Sequence, residues 1–231
     1  MEMTLATLLV RAERVTTKEQ IVTELWGDHP PRCASAAMHV YISQLRKFLA
    51  AAGDRSAIVT KAHGYVLRLK GAGYDVAEFQ RAVEHGRALL PAGRYAEALA
   101  EFDKGLALMR GPVLEDRAEG PVLSAFAAWA EAERLDCLEF SIEARNALGR
   151  HREVIGPLNT LIAQYPLRES LYRHLMLALY RSERQADALE VYRSAHRVLN
   201  AELGVQPCPS LRRLHHAILT SDQLLDLPAA S

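Results

Sequence analysis

A short turn that recurs in the second half of the chain limits the fold more than any other feature. It reads Gly-Arg-Tyr-Ala-Glu-Ala-Leu from Gly93, Gly-Arg-His-Arg-Glu-Val-Ile from Gly149 and Glu-Arg-Gln-Ala-Asp-Ala-Leu from Glu183. In each turn one helix ends, an acidic residue opens the next, and small and large apolar residues follow to pack the pair. The pattern therefore predicts antiparallel helix pairs.

The spacing of these turns indicates the kind of helical repeat. Arg150 and Arg184 stand 34 residues apart (184 − 150), which is the tetratricopeptide period. Arg94 and Arg150 stand 56 apart (150 − 94), so we expect additional chain around Gly111–Pro121 to interrupt the array. Such helix pairs bury their apolar faces by stacking, which creates a concave surface. We predict an all-α tetratricopeptide-like domain over residues 74–222 and a disordered tail over 223–231, with a generic helical bundle as the alternative.

Charge is distributed unevenly, although the chain has 28 basic and 28 acidic residues. Residues 1–70 contain ten Lys and Arg against six Asp and Glu, a balance of +4, and residues 71–231 contain the remaining 18 against 22. A basic first segment on a neutral protein is typical of an electrostatic footprint for DNA. Chance clustering of solvated charge explains these numbers equally well.

The first seventy residues begin with the periodicity of two short helices. Leu5, Leu8 and Leu9 recur at helical spacing in the first. Two capping boxes fit the start of the second, either Thr16 with Glu19 or Thr17 with Gln20. The predicted buried stripe of the second helix contains Ile21, Val22, Leu25 and Trp26. The helix ends at Gly27, which is followed by Pro30 and Pro31.

A third helix, predicted from about Ser35 to Ala52, has two different faces. One is apolar and contains Met38, Tyr41, Ile42, Leu45, Phe48 and Leu49. The other is small, polar or basic and contains Ala36, His39, Val40, Ser43 and Lys47, flanked by Gln44 and Arg46. This outer face lacks acidic residues, whereas a merely solvated helix normally includes glutamates. It would suit the major groove of DNA, where Val40 would contact a thymine methyl group or, equally, pack on a neighbouring element.

Two short β-rich runs follow, around a Lys-Ala-His-Gly tip at residues 61–64. They predict a hairpin, and three helices followed by a hairpin is the order of a winged helix-turn-helix. Lys61 and His63 would then reach the DNA backbone or minor groove beside the third helix. An ordinary surface hairpin is the alternative.

Several of these segments resemble the OmpR-type winged helix, in the version found in the Streptomyces antibiotic regulatory protein family. They are Leu25–Gly27, Pro30–Pro31, Val40–Lys47 and Val59–Tyr65. The family usually has small antiparallel strands before the first helix, whereas this chain begins at the helix itself. We therefore expect a winged helix without those strands, because the start is placed too late, because the chain is a fragment, or because the domain is incomplete.

The later segments are similar to the bacterial transcriptional activator domain of the same regulators. They follow the family's order and are Arg110–Leu114, Ala147–His151, Pro166–Glu169, Leu175–Ser182, Arg184–Leu189, Glu202–Pro207 and Leu211–His215. Cys208 stands where the family pattern has glycine. Together with the winged-helix segments they extend the resemblance from residue 5 to about residue 220.

The resemblance implies a cytoplasmic DNA-binding activator of secondary-metabolite gene clusters, often those for antibiotics. The family binds direct repeats of double-stranded DNA near promoters, which implies self-association of subunits facing the same way. RNA polymerase is the expected protein partner. The residues expected to bind DNA are Ser35, Ala36, His39, Val40, Ser43, Gln44, Arg46 and Lys47 in the third helix and Lys61, His63 and Tyr65 in the wing.

Two other functions fit parts of the sequence. One is a tetratricopeptide-like adaptor for peptides or proteins, with a vestigial DNA-binding front end. The other is an effector-sensing domain that binds a small molecule between repeats. An enzyme is not expected, because the sequence has neither a glycine-rich phosphate loop nor a nucleophile elbow.

Metal, cofactor and membrane functions also lack support in the sequence. Cys33, Cys137 and Cys208 are far apart and form no CxxC pair, so we expect reduced thiols. The nine histidines have no metal-binding spacing, and His215-His216 is more typical of a solvated cluster. No apolar run approaches the length that crosses a bilayer. We expect no cofactor and no membrane partner.

Overall fold

The computed structural model of the chain describes residues 1–54, 57–71, 73–111, 114, 120–222 and 225. Its elements follow the predicted order of helices, a hairpin and more helices. They are α1 (Glu2–Val10), β1 (Thr16–Thr17), α2 (Lys18–Trp26), α3 (Ala34–Ala51), β2 (Ile58–Lys61), β3 (Gly64–Leu67), α4 (Asp75–Leu89), a 3-10 turn (Leu90–Ala92), α5 (Tyr95–Leu108), α6 (Pro121–Ala147), α7 (His151–Gln164), α8 (Glu169–Arg181), α9 (Gln185–Leu203) and α10 (Pro209–Leu219).

Contacts divide the chain into two compact units. The first comprises Met1–Phe79 and Leu108–Leu135, and the second comprises Gln80–Ala107 and Asp136–Ser231. This division differs from the domain ranges 1–70 and 74–222, since the first unit takes in the start of α6; those ranges stay a prediction. The predicted interruption around Gly111–Pro121 and the tail at 223–231 fall largely outside the described residues.

A winged helix forms the beginning of the first unit. Helices α1, α2 and α3 pack with an antiparallel sheet of strand order β1-β3-β2. In the hairpin, Ile58 pairs with Leu67 and Lys61 with Gly64. The helices and the hairpin share one apolar core, whose largest members are Leu8, Ile21, Met38, Ile42, Leu45, Ile58, Tyr65 and Leu67. The predicted winged helix is confirmed, including the wing.

Strand β1 is an addition to the sequence prediction, which assigned Thr16 and Thr17 only to helix capping. Thr16 pairs with Tyr65 and Thr17 with Gly64. A glycine is required at position 64, because a Cβ atom there would lie 2.0 Å from the carbonyl oxygen of Thr16. Thr17 and Gln20 also form the capping box, with bonds of 3.1 and 3.0 Å, so the second of the two predicted boxes is present.

Phe48 is an exception in the predicted apolar face of α3. Met38, Ile42 and Leu45 are at most 2% exposed, whereas Phe48 is 58% exposed. At about 100° per residue, Phe48 lies about 80° from Met38 around the helix axis, at the edge of the buried face. The apolar face that the sequence defines is therefore buried only in part.

The three recurrent turns share one arrangement in the structure. Each begins with a residue of left-handed φ, namely Gly93 (70°), Gly149 (78°) and Glu183 (63°). The arginine that follows donates its backbone N–H to the carbonyl five residues earlier, in Arg94, Arg150 and Arg184 alike. Each arginine also forms an ion pair with the acid three residues later, Glu97, Glu153 or Asp187. The turns are therefore true structural repeats.

The helices of the second unit pack in sequence, as the repeat predicts. Helix α7 packs on α8, α8 packs on α9, and α10 packs on both α8 and α9. Their shared core includes Leu158, Leu171, Leu175, Met176, Leu199 and Leu211, all fully or almost fully buried. The mainly helical fold, with a small β component in the winged helix, agrees with the prediction.

The remaining expectations concern cysteines, metals and membranes. All three cysteines are free thiols; Cys33 is exposed and Cys137 is buried. Within the ranges described above, no group of three or more His, Cys, Asp or Glu side chains is arranged to hold a metal ion. None of the described helices is both long enough and apolar enough to cross a membrane.

Candidate nucleic-acid interface

The outer face of α3 is the candidate interface, and it is open to solvent. The exposed residues on it are Ser35, Ala36, His39, Val40, Ser43, Gln44 and Lys47. Met38, Ile42 and Leu45 hold the helix on the core. The exposed residues on the opposite side are Ala36, His39, Val40, Ser43 and Lys47. The whole helix, Ala34–Ala51, contains no acidic residue. An α-helix with its side chains is about 10–12 Å wide, and the major groove is about 12 Å wide, so this face has the dimensions for groove entry.

The first turn of α3 adds a favourable environment for anions. It contains no acidic side chain, and its N-cap residue, Cys33, makes no side-chain hydrogen bond to it. Exposed Arg32 immediately precedes the cap. The backbone N–H groups of a first helical turn carry partial positive charge, which attracts phosphate. The amino end of α3 is therefore electrostatically suited to a DNA backbone.

Val40 is the large apolar residue of this outer face. Its side chain is 51% exposed, so it remains available for an external apolar contact. The neighbouring His39 and Ser43 are exposed as well and supply hydrogen-bonding groups one turn of the helix apart. The combination is suited to reading base edges, although a contact with a thymine methyl group stays a prediction.

Arg46 is partly exposed and bonds to the sheet. Its Nε and Nη2 atoms donate to the carbonyl oxygen of Ile58 at 3.2 and 3.1 Å. Nη2 also donates to Oγ1 of Thr60 at 2.7 Å, and the guanidinium lies 5.9 Å from the centre of the Tyr65 ring. Arg46 thus joins the third helix to the wing.

The wing presents two of its three predicted residues. Lys61 and His63 are exposed at the tip of the β2–β3 hairpin, where the carbonyl oxygen of His63 accepts the backbone N–H of Lys18 at 3.2 Å. Tyr65 is only 4% exposed and belongs to the core. The structure therefore brings Lys61 and His63, but not the side chain of Tyr65, to the outer surface.

Glu24 is a buried residue that sequence reasoning missed. It lies on α2 and is 3% exposed. Its carboxylate accepts the backbone N–H groups of Val122 and Leu123 at 2.7 and 3.0 Å. Position 24 follows Ile21 by three residues, so helical spacing places it beside the apolar stripe. That spacing was the available signal, but a charged residue is normally assigned to solvent.

Two family models match the chain and together span almost all of it. The model described as "Transcriptional regulatory protein, C terminal" matches residues 2–67. The model described as "Bacterial transcriptional activator domain" matches residues 74–219, more than half of the chain. The two matches correspond to the winged helix and to the helices that follow it.

Known regulators are similar over the same length. Transcriptional regulator RedD of Streptomyces coelicolor is 41% identical over 229 residues, which is 97% of this chain and 65% of RedD. Regulatory protein DnrI of Streptomyces peucetius is 34% identical over 236 residues, which is 97% of this chain and 87% of DnrI. The chain belongs to the Streptomyces antibiotic regulatory protein family.

A solved structure of similar fold comes from a mycobacterial regulator. The structure of Mycobacterium tuberculosis EmbR in complex with a low affinity phosphopeptide matches with a TM-score of 0.91 and 33% identity. The match covers 99% of this chain and 59% of the EmbR chain. This chain therefore spans less than two thirds of both RedD and EmbR.

Membership of the Streptomyces antibiotic regulatory protein family confirms the family that the sequence predicted. The chain combines an OmpR-type winged helix with a bacterial transcriptional activator domain. Its named relatives are transcriptional regulators, which is a non-enzymatic role. The individual DNA-contacting residues on α3 and the wing stay a prediction.

Proposed function

We propose that the chain is a sequence-specific DNA-binding activator of a secondary-metabolite gene cluster, of the kind that makes antibiotics. In this proposal α3 enters the major groove and the tip of the wing rests on the adjacent backbone. The activator domain recruits RNA polymerase. A regulator that acts on the chromosome of a bacterium works in the cytoplasm.

The observation that carries this proposal is the exposed, acid-free face of α3. Small side chains at Ser35, Ala36 and Ser43 permit close approach to the bases. Lys47, exposed on the same face, is placed to meet a phosphate. Duplex DNA repels acidic groups, so the absence of Asp and Glu from the whole helix favours this partner over a protein surface.

Self-association on DNA is part of the same proposal. Direct repeats place two binding sites in the same orientation, so two subunits on them meet head to tail. The family resemblance supports direct repeats, and the helix pairs α7–α8 and α8–α9 supply further surface for a protein partner. Because the chain spans 65% of RedD, the partners of the longer relatives are proposed for this chain and not assumed.

A footprinting experiment tests the proposal. The chain is added to DNA that spans the promoters of biosynthetic genes next to its own gene, and protection from DNase I is mapped. We expect two protected segments of similar sequence in the same orientation, and increased transcription when RNA polymerase is added. Lys47→Ala weakens protection, whereas Lys104→Ala, which removes another exposed lysine, from α5, serves as the matched control.

The adaptor alternative predicts that the chain protects no promoter DNA, and one observation favours it. A groove of about 320 Å³ in the second unit has both charged and apolar side chains in its lining, among them Ile155, Leu179, Arg184, Asp187, Val191 and Arg197. Such a groove would suit a peptide. No protection of any promoter DNA, together with peptide binding in this groove, would establish the adaptor and reject the activator.

A further inference from the structure

The hydrogen-bond partners of buried Glu24 lie far away from it in the sequence. Val122 and Leu123 are 98 and 99 residues later in the chain and form the first turn of α6. All three residues belong to the first compact unit. A side chain of the helix-turn-helix therefore caps the long helix that opens within the activator domain.

The contact has the chemistry of a specific anchor. The N–H groups of a first helical turn have no partner within their own helix, and a carboxylate there is favoured by the helix dipole. The N–H of Val122 bonds to Oε2 of Glu24, and the N–H of Leu123 bonds to Oε1. Both oxygens are therefore used. A buried carboxylate is costly without such charge-assisted bonds, so each side of the contact depends on the other.

Gly120 provides the space that this anchor needs. A Cβ atom at position 120 would lie 2.3 to 2.7 Å from the carboxylate atoms of Glu24. Gly120 is itself buried and immediately precedes α6. The backbone there is outside the left-handed region, so the glycine serves the close approach of Glu24 and not an unusual φ angle.

The same helix that carries Glu24 supports the candidate DNA-binding helix. The α2 residues Ile21, Val22 and Leu25 pack in the core that holds α3. Trp26, two residues beyond Glu24, stacks on Tyr41 of α3 with ring centres 6.4 Å apart. One short helix thus contacts α3 and caps the start of α6.

We propose that Glu24 is a positioning residue that couples the activator domain to the DNA-binding helices. Because Glu24 holds the first turn of α6, that turn belongs to the same compact unit as the DNA-binding helices. When α3 binds DNA, the position of the start of α6 is then fixed as well. The coupling rests on the proposed activator function; the anchor itself rests on the structure alone.

The anchor is tested by amide hydrogen exchange in the whole chain without DNA. In Glu24→Gln one carboxylate oxygen becomes an NH₂ group, which cannot accept a hydrogen bond from the backbone N–H groups of Val122 and Leu123. We therefore expect hydrogen exchange at these two amides to increase about tenfold or more. Exchange in the middle of α3, at Ile42, stays as in the wild type. Glu19→Gln, on the exposed side of α2, is the matched control and changes neither amide. Unchanged exchange at both α6 amides in Glu24→Gln would overturn the anchor.

A second pair of variants tests the contact from its other side, and also serves if Glu24→Gln fails to fold. Gly120→Ala introduces the Cβ that collides with the carboxylate and is expected to lower the Tm. In a Glu24→Ala background the collision is absent, so the same glycine substitution is expected to change the Tm little. An equal Tm shift from Gly120→Ala in both backgrounds would show that Glu24 and Gly120 are not coupled, and would reject the anchor.

The coupling is tested by measuring transcription when the promoter DNA is saturated with protein. We expect Glu24→Gln to bind the DNA within about twofold of the wild type and yet to lose most of the activation, because α6 is no longer held. Glu19→Gln is expected to activate normally. Full activation by Glu24→Gln would overturn the coupling. If the wild-type chain binds no promoter DNA, the activator function fails, while hydrogen exchange still decides the anchor.

Discussion

Arg46 of α3 donates two hydrogen bonds to the carbonyl oxygen of Ile58 on the wing, at 3.2 and 3.1 Å. Lys47, the next residue, is exposed on the outer face of the same helix. Two adjacent cations in the sequence therefore have different surroundings. Arg46 fixes the helix to the wing, and Lys47 is available to DNA.

Substitutions at these two positions are expected to separate stability from DNA affinity. Arg46→Ala removes three hydrogen bonds to β2 and should lower the free energy of unfolding by about 1–3 kcal/mol. Lys47→Ala should change it by less than about 0.5 kcal/mol. Urea denaturation measures both. A destabilised Lys47→Ala protein beside a fully stable Arg46→Ala protein would reverse these roles.

His39 and Val40 are expected to determine which DNA sequence is bound. Replacing either with alanine should reduce discrimination at one or two base pairs, by about 1–3 kcal/mol at a position read by His39. Selection of bound sequences from a random library measures the preference. Lys47→Ala is the comparison, since loss of a phosphate contact should weaken all sequences alike. If the His39, Val40 and Lys47 variants all kept the sequence preference of the wild type, the base contacts would lie elsewhere.

Glu183 is expected to cost stability through its backbone conformation. Its φ of 63° is left-handed, where the equivalent residues of the other two turns, Gly93 and Gly149, have no Cβ. Glu183→Gly should raise the free energy of unfolding by about 0.5–1 kcal/mol, less than the whole strain because glycine also loosens the unfolded chain. Glu183→Ala keeps the Cβ and should give no such gain. Equal stabilities of the glycine and alanine variants would argue against strain.

Buried His174 is expected to make stability depend on pH. Burial, reinforced by the charge of Arg173, lowers the pKa of His174 from 6.5 to about 4. Between those values the unfolded state binds the additional proton, so the contribution is complete above pH 6.5 and is lost as the pH falls towards 4. The loss should approach about 3 kcal/mol.

His174→Met, which cannot be protonated, is expected to flatten that dependence. Urea denaturation at pH 7 and at pH 4.5 gives the change in unfolding free energy for each protein. Burial also lowers the pKa values of His151 and His215, so the variant should keep part of the slope. A slope equal to that of the wild type would exclude His174 as the titrating group.

Features with a local sequence pattern were predictable. The apolar stripes of α2 and α3, the capping residues before α2 and the repeated Arg-x-x-acid turns each depend on residues within a few positions of one another. The capping box and the three turns agree with the expectation, and the stripe of α3 is buried or half-buried except at Phe48. The ion pairs of Arg94, Arg150 and Arg184 are an addition that the structure supplies. The wing was predictable for the same reason, because a hairpin pairs neighbouring residues.

Features that depend on distant partners were not predictable. Strand β1 has two residues and pairs with β3, nearly fifty positions later. A two-residue strand is too short for a periodic pattern to predict it. Glu24 and Arg46 carry charges that a one-dimensional pattern assigns to solvent, yet their partners lie on α6 and β2. Tyr65 was expected to bind DNA, but its side chain lies in the core, and the other residues of β3 are buried as well.

The salt dependence of DNA binding tests most directly whether the outer face of α3 lies on DNA. Dissociation constants for the protected promoter segment are measured over a range of salt concentrations for the wild type, Lys47→Ala and Lys104→Ala. Loss of one phosphate contact should reduce the slope of log affinity against log salt by about 0.9 in Lys47→Ala and leave Lys104→Ala unchanged. The same slope and the same affinity in all three proteins would contradict contact between this face and the DNA backbone.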